Sequence, residues 1–226
     1  MKRSALLLTL VLLTVMPGMA QQERGMEVSL ISGFVLPSTP MAFANYWTIQ
    51  YGGGVRAGFP LTQSVTVVGA FEYYRFTLNE SGVKNAFATD YMRDIWVLDR
   101  VSLSPSADPS SVMAVSANVR IAPPVSTGLI SPYFIAGIGV MSFSMSDVAT
   151  PVTSVVSINN ANITMIAESK IVGGKETAGL IQGGIGLDFS VARYFNAFVE
   201  ARYTLGLTQG QRTSYIPLNV GIKMEL

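Results

Sequence analysis

From Met26 to Leu226 apolar and polar residues take turns over segments of about ten residues, the period-two signature of strands with one greasy face each. In a first predicted strand, Met26–Leu36, the residues Met26, Val28, Leu30, Phe34 and Leu36 share one side, and Glu27, Ser29 and Gly33 the other. A second spans about Trp47–Phe59. It sets Trp47, Ile49, Tyr51, Val55, Ala57 and Phe59 against Thr48, Gln50, Gly52, Gly54 and Arg56. A third, about Ser64–Leu78, opposes Val65, Val67, Phe71 and Tyr73 to Thr66, Ala70, Glu72 and Tyr74.

The same alternation continues at about Val112–Ile121, Ala178–Ser190 and Phe195–Gly206, and in a last strand through Ile216, Leu218, Val220, Ile222, Met224 and Leu226. A fifth strand, about Pro132–Ser144, is apolar or Gly on both faces, so its phase stays open. That makes eight predicted strands. Long connections fall at 37–46, 79–110 and 145–177, with a shorter one at 207–214; short turns fall at 60–63, 122–131 and 190–194. The segment 79–110 is the most charged part of the chain, and its inner patch Tyr91, Ile95, Trp96 and Val97 fits either a short helix or extended strands. Connections this long in a compact fold are usually functional or mobile.

Hydrophobic residues make up 49% of the chain and charged residues only 13%, yet past the N-terminus no unbroken apolar run reaches the ~18 residues of a spanning helix. In hydrocarbon every backbone N–H and C=O must be satisfied within the protein, so alternating strands there must close on themselves. The expected fold is all-β, an eight-stranded antiparallel up-and-down transmembrane barrel over residues 21–226. Both termini then lie at one end, and short turns alternate with long loops. Eight strands leave an interior just wide enough for side chains. Trp47, Phe59, Phe76, Tyr133, Phe143, Phe195, Tyr203 and Tyr215, near the predicted strand ends, are candidates for interfacial aromatic girdles.

Met1–Ala20 reads as a signal peptide. Lys2 and Arg3 form a basic start, Ala5–Met16 is a Leu-rich core, and Gly18-Met19-Ala20 offers a small-x-small cleavage site. Cleavage there takes Lys+Arg from 15 to 13 against 14 Asp+Glu, a net charge of −1. A nearly neutral chain lacks the basic stripe of a nucleic-acid binder.

The polar faces carry charges of both signs. Arg56, Glu72, Arg120, Asp188, Glu200, Arg202 and Lys223 are the candidate residues of a charge network in the lumen, with Glu27 and Glu225 on the same faces. Opposite pairs with hydrogen bonds are tolerable there, whereas isolated charges are costly. Arg56 and Glu72 lie on neighbouring strands and meet if the register allows.

The chain has no Cys and no His. Without them there is no disulfide, lipidated Cys, Ser-His catalysis or His-ligated zinc. Gly173-Gly174-Lys175 lacks the upstream Gly and the Ser/Thr of a phosphate loop. No catalytic residue, cofactor or metal site is expected, and the chain reads as a non-enzyme.

Pro132-Tyr133-Phe134-Ile135-Ala136-Gly137-Ile138-Gly139 resembles the fifth-strand segment of the small outer-membrane β-barrel family of the OmpA/OmpX and opacity-protein type. Gly183–Phe189 followed by Phe198–Tyr203 resembles its sixth and seventh strands. The resemblance implies residence in the cell outer membrane, with outer-membrane lipid around a monomer and the barrel-assembly machinery as a partner during biogenesis. That machinery usually reads a terminal aromatic residue, and here the last position is Leu226. Three roles stay open: a structural or surface-contact protein with an extracellular ligand at loops 79–110 and 145–177, a small-solute pore, and a soluble periplasmic barrel holding a hydrophobic ligand.

Overall fold

A computed structural model describes residues 25–90, 101–123, 129–158, 161–192, 194–209 and 212–226. The leader expected at 1–20 lies outside the described residues, as do Tyr91, Ile95, Trp96 and Val97. The strands are β1 (Glu27–Thr39), β2 (Gln50–Pro60), β3 (Val65–Phe76), β4 (Val101–Leu103), β5 (Ser106–Ala107), β6 (Ser110–Ile121), β7 (Ile130–Met145), β8 (Val148–Ile158), β9 (Ala161–Ile171), β10 (Gly174–Ala192), β11 (Phe195–Gly206) and β12 (Thr213–Glu225). Two helices, α1 (Met41–Tyr46) and α2 (Glu80–Asp90), follow β1 and β3.

Eight of the strands form a closed antiparallel barrel in the order β1-β12-β11-β10-β7-β6-β3-β2. Closure comes from β1 against β12, in register from Glu27↔Glu225 to Leu36↔Ile216. The expected strands map onto this wall one for one. Register aligns the outward apolar positions into rows: Phe34, Leu218, Ala201, Ile185 and Phe134 sit opposite one another across five consecutive strands. A slip of one residue would put these side chains inside and the charges outside, so the pattern pins the register. The 61–64 turn is closed by Leu61 N–H to the Val65 carbonyl and by Thr62 Oγ1, which accepts from the Ser64 and Val65 N–H groups.

The open phase of the fifth strand resolves on β7. Tyr133, Ile135, Met141 and Phe143 point inward and are buried, while Phe134, Ile138 and Val140 face out. Three expectations are corrected. The 145–177 segment is not a loop, because β7 and β10 pair as far as Met145↔Gly174 and β8 and β9 then extend the same hairpin. Its many β-branched Val, Ile and Thr residues favour strands. With β4 and β5 against β8 on the other side, it makes a four-stranded sheet beyond the barrel wall.

The second strand starts at Gln50 rather than Trp47, since the chain first makes the six-residue helix α1. Trp47 bridges to Leu78 and is buried at 2% exposure. The girdle expectation fails for the same reason in part. Phe76, Tyr133, Phe143 and Tyr215, like Trp47, are buried inside, and only Phe59, Phe195 and Tyr203 of that set face out. An aromatic near a strand end fills a narrow lumen as readily as it marks an interface, and parity decides which.

Candidate functional site: a closed lumen under an outer sheet

The interior is built in zones. At the loop end it is apolar: Val35, Tyr74, Phe76, Val112, Met141, Phe143, Leu180 and Tyr215 form one buried cluster with Phe43 of α1 and Trp47. Phe43 is fully buried and meets Phe76 and Phe143 edge-on, at centroid distances of 5.0 and 5.2 Å. Edge-to-face pairs at this spacing are favourable. α1 therefore closes the mouth.

Deeper in, the structure places all seven candidate charges on the inner face and divides them into two groups. The first is a quartet. Arg56 holds Glu200 with both terminal nitrogens, at 3.1 and 2.8 Å, and reaches Glu72 at 3.1 Å through Nη2. Arg202 Nη2 donates to Glu72, and its Nε lies 2.8 Å from Glu200 Oε1 without hydrogen-bond alignment. Tyr133 donates to Glu200 Oε2 at 2.9 Å, and the Tyr74 hydroxyl lies between Glu72 and Asn219. The four charged side chains are 5% exposed or less. Two guanidinium and two carboxylate groups sum to zero, and bidentate geometry makes such burial tolerable.

The second group lies at the end where the termini meet. Arg120 donates to Glu27 at 2.8 and 2.9 Å, and Lys223 donates to Asp188 at 2.8 Å. The Arg120 guanidinium sits 5.5 Å from the Tyr133 ring centre. Glu225 is not part of it; its carboxylate takes the Asn196 amide at the surface. Between the two groups a cavity of about 10 Å³, lined among others by Glu27, Arg56, Arg120, Tyr133 and Glu200, has room for about one water. A neutral set completes the wall, with Gln182 donating to Ser116 and Asn118.

Large inward side chains fit because inward glycines face them. A Cβ on Gly186 would collide with the Tyr133 ring, and one on Gly221 would fall 2.5 Å from the Phe198 ring. Tyr74 stands on the polar face of its strand in the sequence, but Tyr133 is hidden there by the ambiguous phase of its strand. Phe43 and Trp47 carry no sequence signal of inward burial, since the plug depends on how 37–46 folds back.

Beyond the rim, the α1–α2 region is anchored by the Asn79 N–H bond to the Tyr46 carbonyl. The base of the β8–β9 hairpin is tied by Lys170 Nζ to Asp147 at 2.7 Å and by Gly173 N–H to the same carboxylate at 2.8 Å. These bonds hold the Asp147 carboxyl below its ordinary pKa, Lys170 contributing most, and they raise that of Lys170.

No family model and no curated protein matches the chain. Among solved structures, the chain is similar to Neisserial surface protein A at 12% identity and a TM-score of 0.53, covering 89% of this chain and 97% of that one. It also aligns with the attachment invasion locus protein of Yersinia pestis at 12% identity and a TM-score of 0.45, over 90% and 100% of the two chains. The closed eight-stranded wall and the likeness to Neisserial surface protein A together show the fold, that of the small outer-membrane β-barrels.

Proposed function

We propose that this chain is an integral outer-membrane protein that makes surface contacts, with the barrel as a sealed anchor and the outer sheet and helices as the contact surface. One observation carries the reading. The barrel is inverted relative to a soluble protein, since it buries its charges inside and turns its large apolar side chains outward. Leu30, Phe134 and Ile138 are 65%, 61% and 67% exposed while Glu200 and Arg202 are 4% and 1% exposed. An apolar surface that encircles the molecule far exceeds the patches a water-soluble monomer carries.

The height of the belt supports this. Outward aromatics or aliphatics bracket Tyr51–Phe59, Val65–Tyr73 and Phe195–Tyr203, each about 27 Å along the strand. At a tilt of about 40° that is roughly 20 Å of height, close to the ~25 Å apolar band of such barrels. A soluble carrier of a hydrophobic ligand needs an apolar chamber, and here the chamber is filled by Phe43 and the charge quartet. A pore needs a continuous aqueous path, and the charged zone leaves a cavity of about 10 Å³.

Flotation with lipid vesicles after refolding, together with heat-modifiable gel migration, tests the membrane reading. Recovery of the protein in the soluble fraction would overturn it. Planar-bilayer recording tests the sealed lumen: the expected result is no stable ohmic channel, and steady conductance steps would favour the pore.

A further inference from the structure

We propose that β9 is a homophilic contact strand, whose free edge pairs antiparallel with the β9 edge of a second copy of this chain on a facing membrane. The inference rests on the membrane reading above.

Among the described residues β9 pairs only with β8, whose other side is taken by β4 and β5. No described strand covers the outer side of β9, whose backbone donors and acceptors there form a template for strand addition. Natural edges are guarded by charge, and β9 carries two, Glu168 and Lys170, both exposed. Their placement decides between guard and match.

A pair of identical strands related by a two-fold axis must run antiparallel, and the same patch serves both partners. With the axis at Ser169, Glu168 lies directly opposite Lys170 of the other copy, and Lys170 opposite Glu168. Ile166 then faces Val172, and Ala167 faces Ile171. Directly opposed residues share a face of the sheet, so Ile166, Glu168 and Lys170, with Val172 one residue past the end of β9, form one self-complementary row. Its apolar ends, Ile166 and Val172, are 74% and 76% exposed. Lys170 spends one N–H on Asp147 and retains two for an incoming carboxylate.

Topology gives the geometry of the encounter. β9 continues the hairpin of β10, from Val148↔Ile171 to Met145↔Gly174, and so leaves the barrel from the loop end. Reversing β9 reverses the barrel attached to it, and the second copy then belongs to an opposed surface. One such strand pair is a small interface. Many copies between two membranes multiply its strength through high effective concentration.

The test uses the full chain refolded into phosphatidylcholine vesicles, with flotation confirming insertion before clustering is read by light scattering. Wild-type vesicles are expected to cluster. Vesicles carrying Glu168→Lys alone, or Lys170→Glu alone, are expected to cluster at least tenfold less. Mixing those two populations restores clustering, because a row with two lysines then meets a row with two glutamates. Inserted wild-type protein that leaves vesicles dispersed would overturn the proposal. So would a mixture no better than its components, or stronger clustering by Glu168→Ala/Lys170→Ala, which marks the charges as guards. Failure to float with the vesicles would instead remove the membrane reading.

Discussion

Glu200→Gln deletes one negative charge from the lumen quartet while keeping nearly the same volume and shape. Glu200 lies 2.8 Å from Arg56 Nη2 and 2.8 Å from Arg202 Nε. At an effective dielectric of about 20, each contact has a gross attraction of about 6 kcal/mol, most of it offset by desolvation of the ions. The amide leaves two guanidinium groups against Glu72 alone, a net positive charge in a site whose members are 5% exposed or less. Breaking a buried pair in this way costs about 3–5 kcal/mol. Arg202→Met leaves the opposite imbalance and a similar cost. The double variant is neutral again, so its loss should fall short of the summed single losses by about 1–3 kcal/mol. Urea titration of the barrel folded in phosphocholine vesicles, followed by tryptophan fluorescence and by gel migration, measures all three. A single variant within about 0.5 kcal/mol of wild type would mean that water already solvates these charges, and strict additivity would mean that the quartet is not a unit.

Gly186→Ala should destabilise the barrel by about 1–3 kcal/mol, because the new methyl would displace the Tyr133 ring; in a Tyr133→Leu background the same substitution should cost much less in the same titration. Phe43→Ala removes a fully buried ring and should cost about 3–5 kcal/mol. It should leave bilayer conductance at baseline because the charged zone stays closed, and channel openings in this variant would show that α1 alone seals the lumen. The Asp147 carboxyl is held below its ordinary value by Lys170 and the Gly173 N–H, so its contribution is present above the unfolded pKa and lost as pH falls through the lower folded one. The Gly173 amide shift should accordingly titrate below the ordinary aspartate range and become flat in Asp147→Asn; a midpoint within or above that range would contradict the latch.

The barrel is legible in the sequence because its surroundings impose period two. Wherever one face meets lipid and the other meets packed charge, as in β3 with Val67, Phe71 and Tyr73 against Glu72 and Tyr74, parity alone assigns inside and outside. Parity fails in β7, where glycines and apolar residues occupy both faces and leave Tyr133 without an orientation. The seven lumen charges are readable as inward positions, but their division into two groups is not. That depends on stagger between strands distant in sequence, such as the 144 residues between Arg56 and Glu200. The outer sheet reads as loop because lipid no longer imposes alternation beyond the rim, and β8 and β9 are polar or apolar without regular turns. α1 is invisible for a similar reason, since a helix of six residues is too short to show a period.

The lumen charges also divide evenly along the chain. Glu27, Arg56, Glu72 and Arg120 come from the first four wall strands, and Asp188, Glu200, Arg202 and Lys223 from the last four. Each half thus holds two cations and two anions. A split of the polypeptide between Ile121 and Ile130 would yield two fragments that are each electrically balanced in their lumen-facing residues, so neither would carry surplus lumen charge toward the bilayer while waiting for the other.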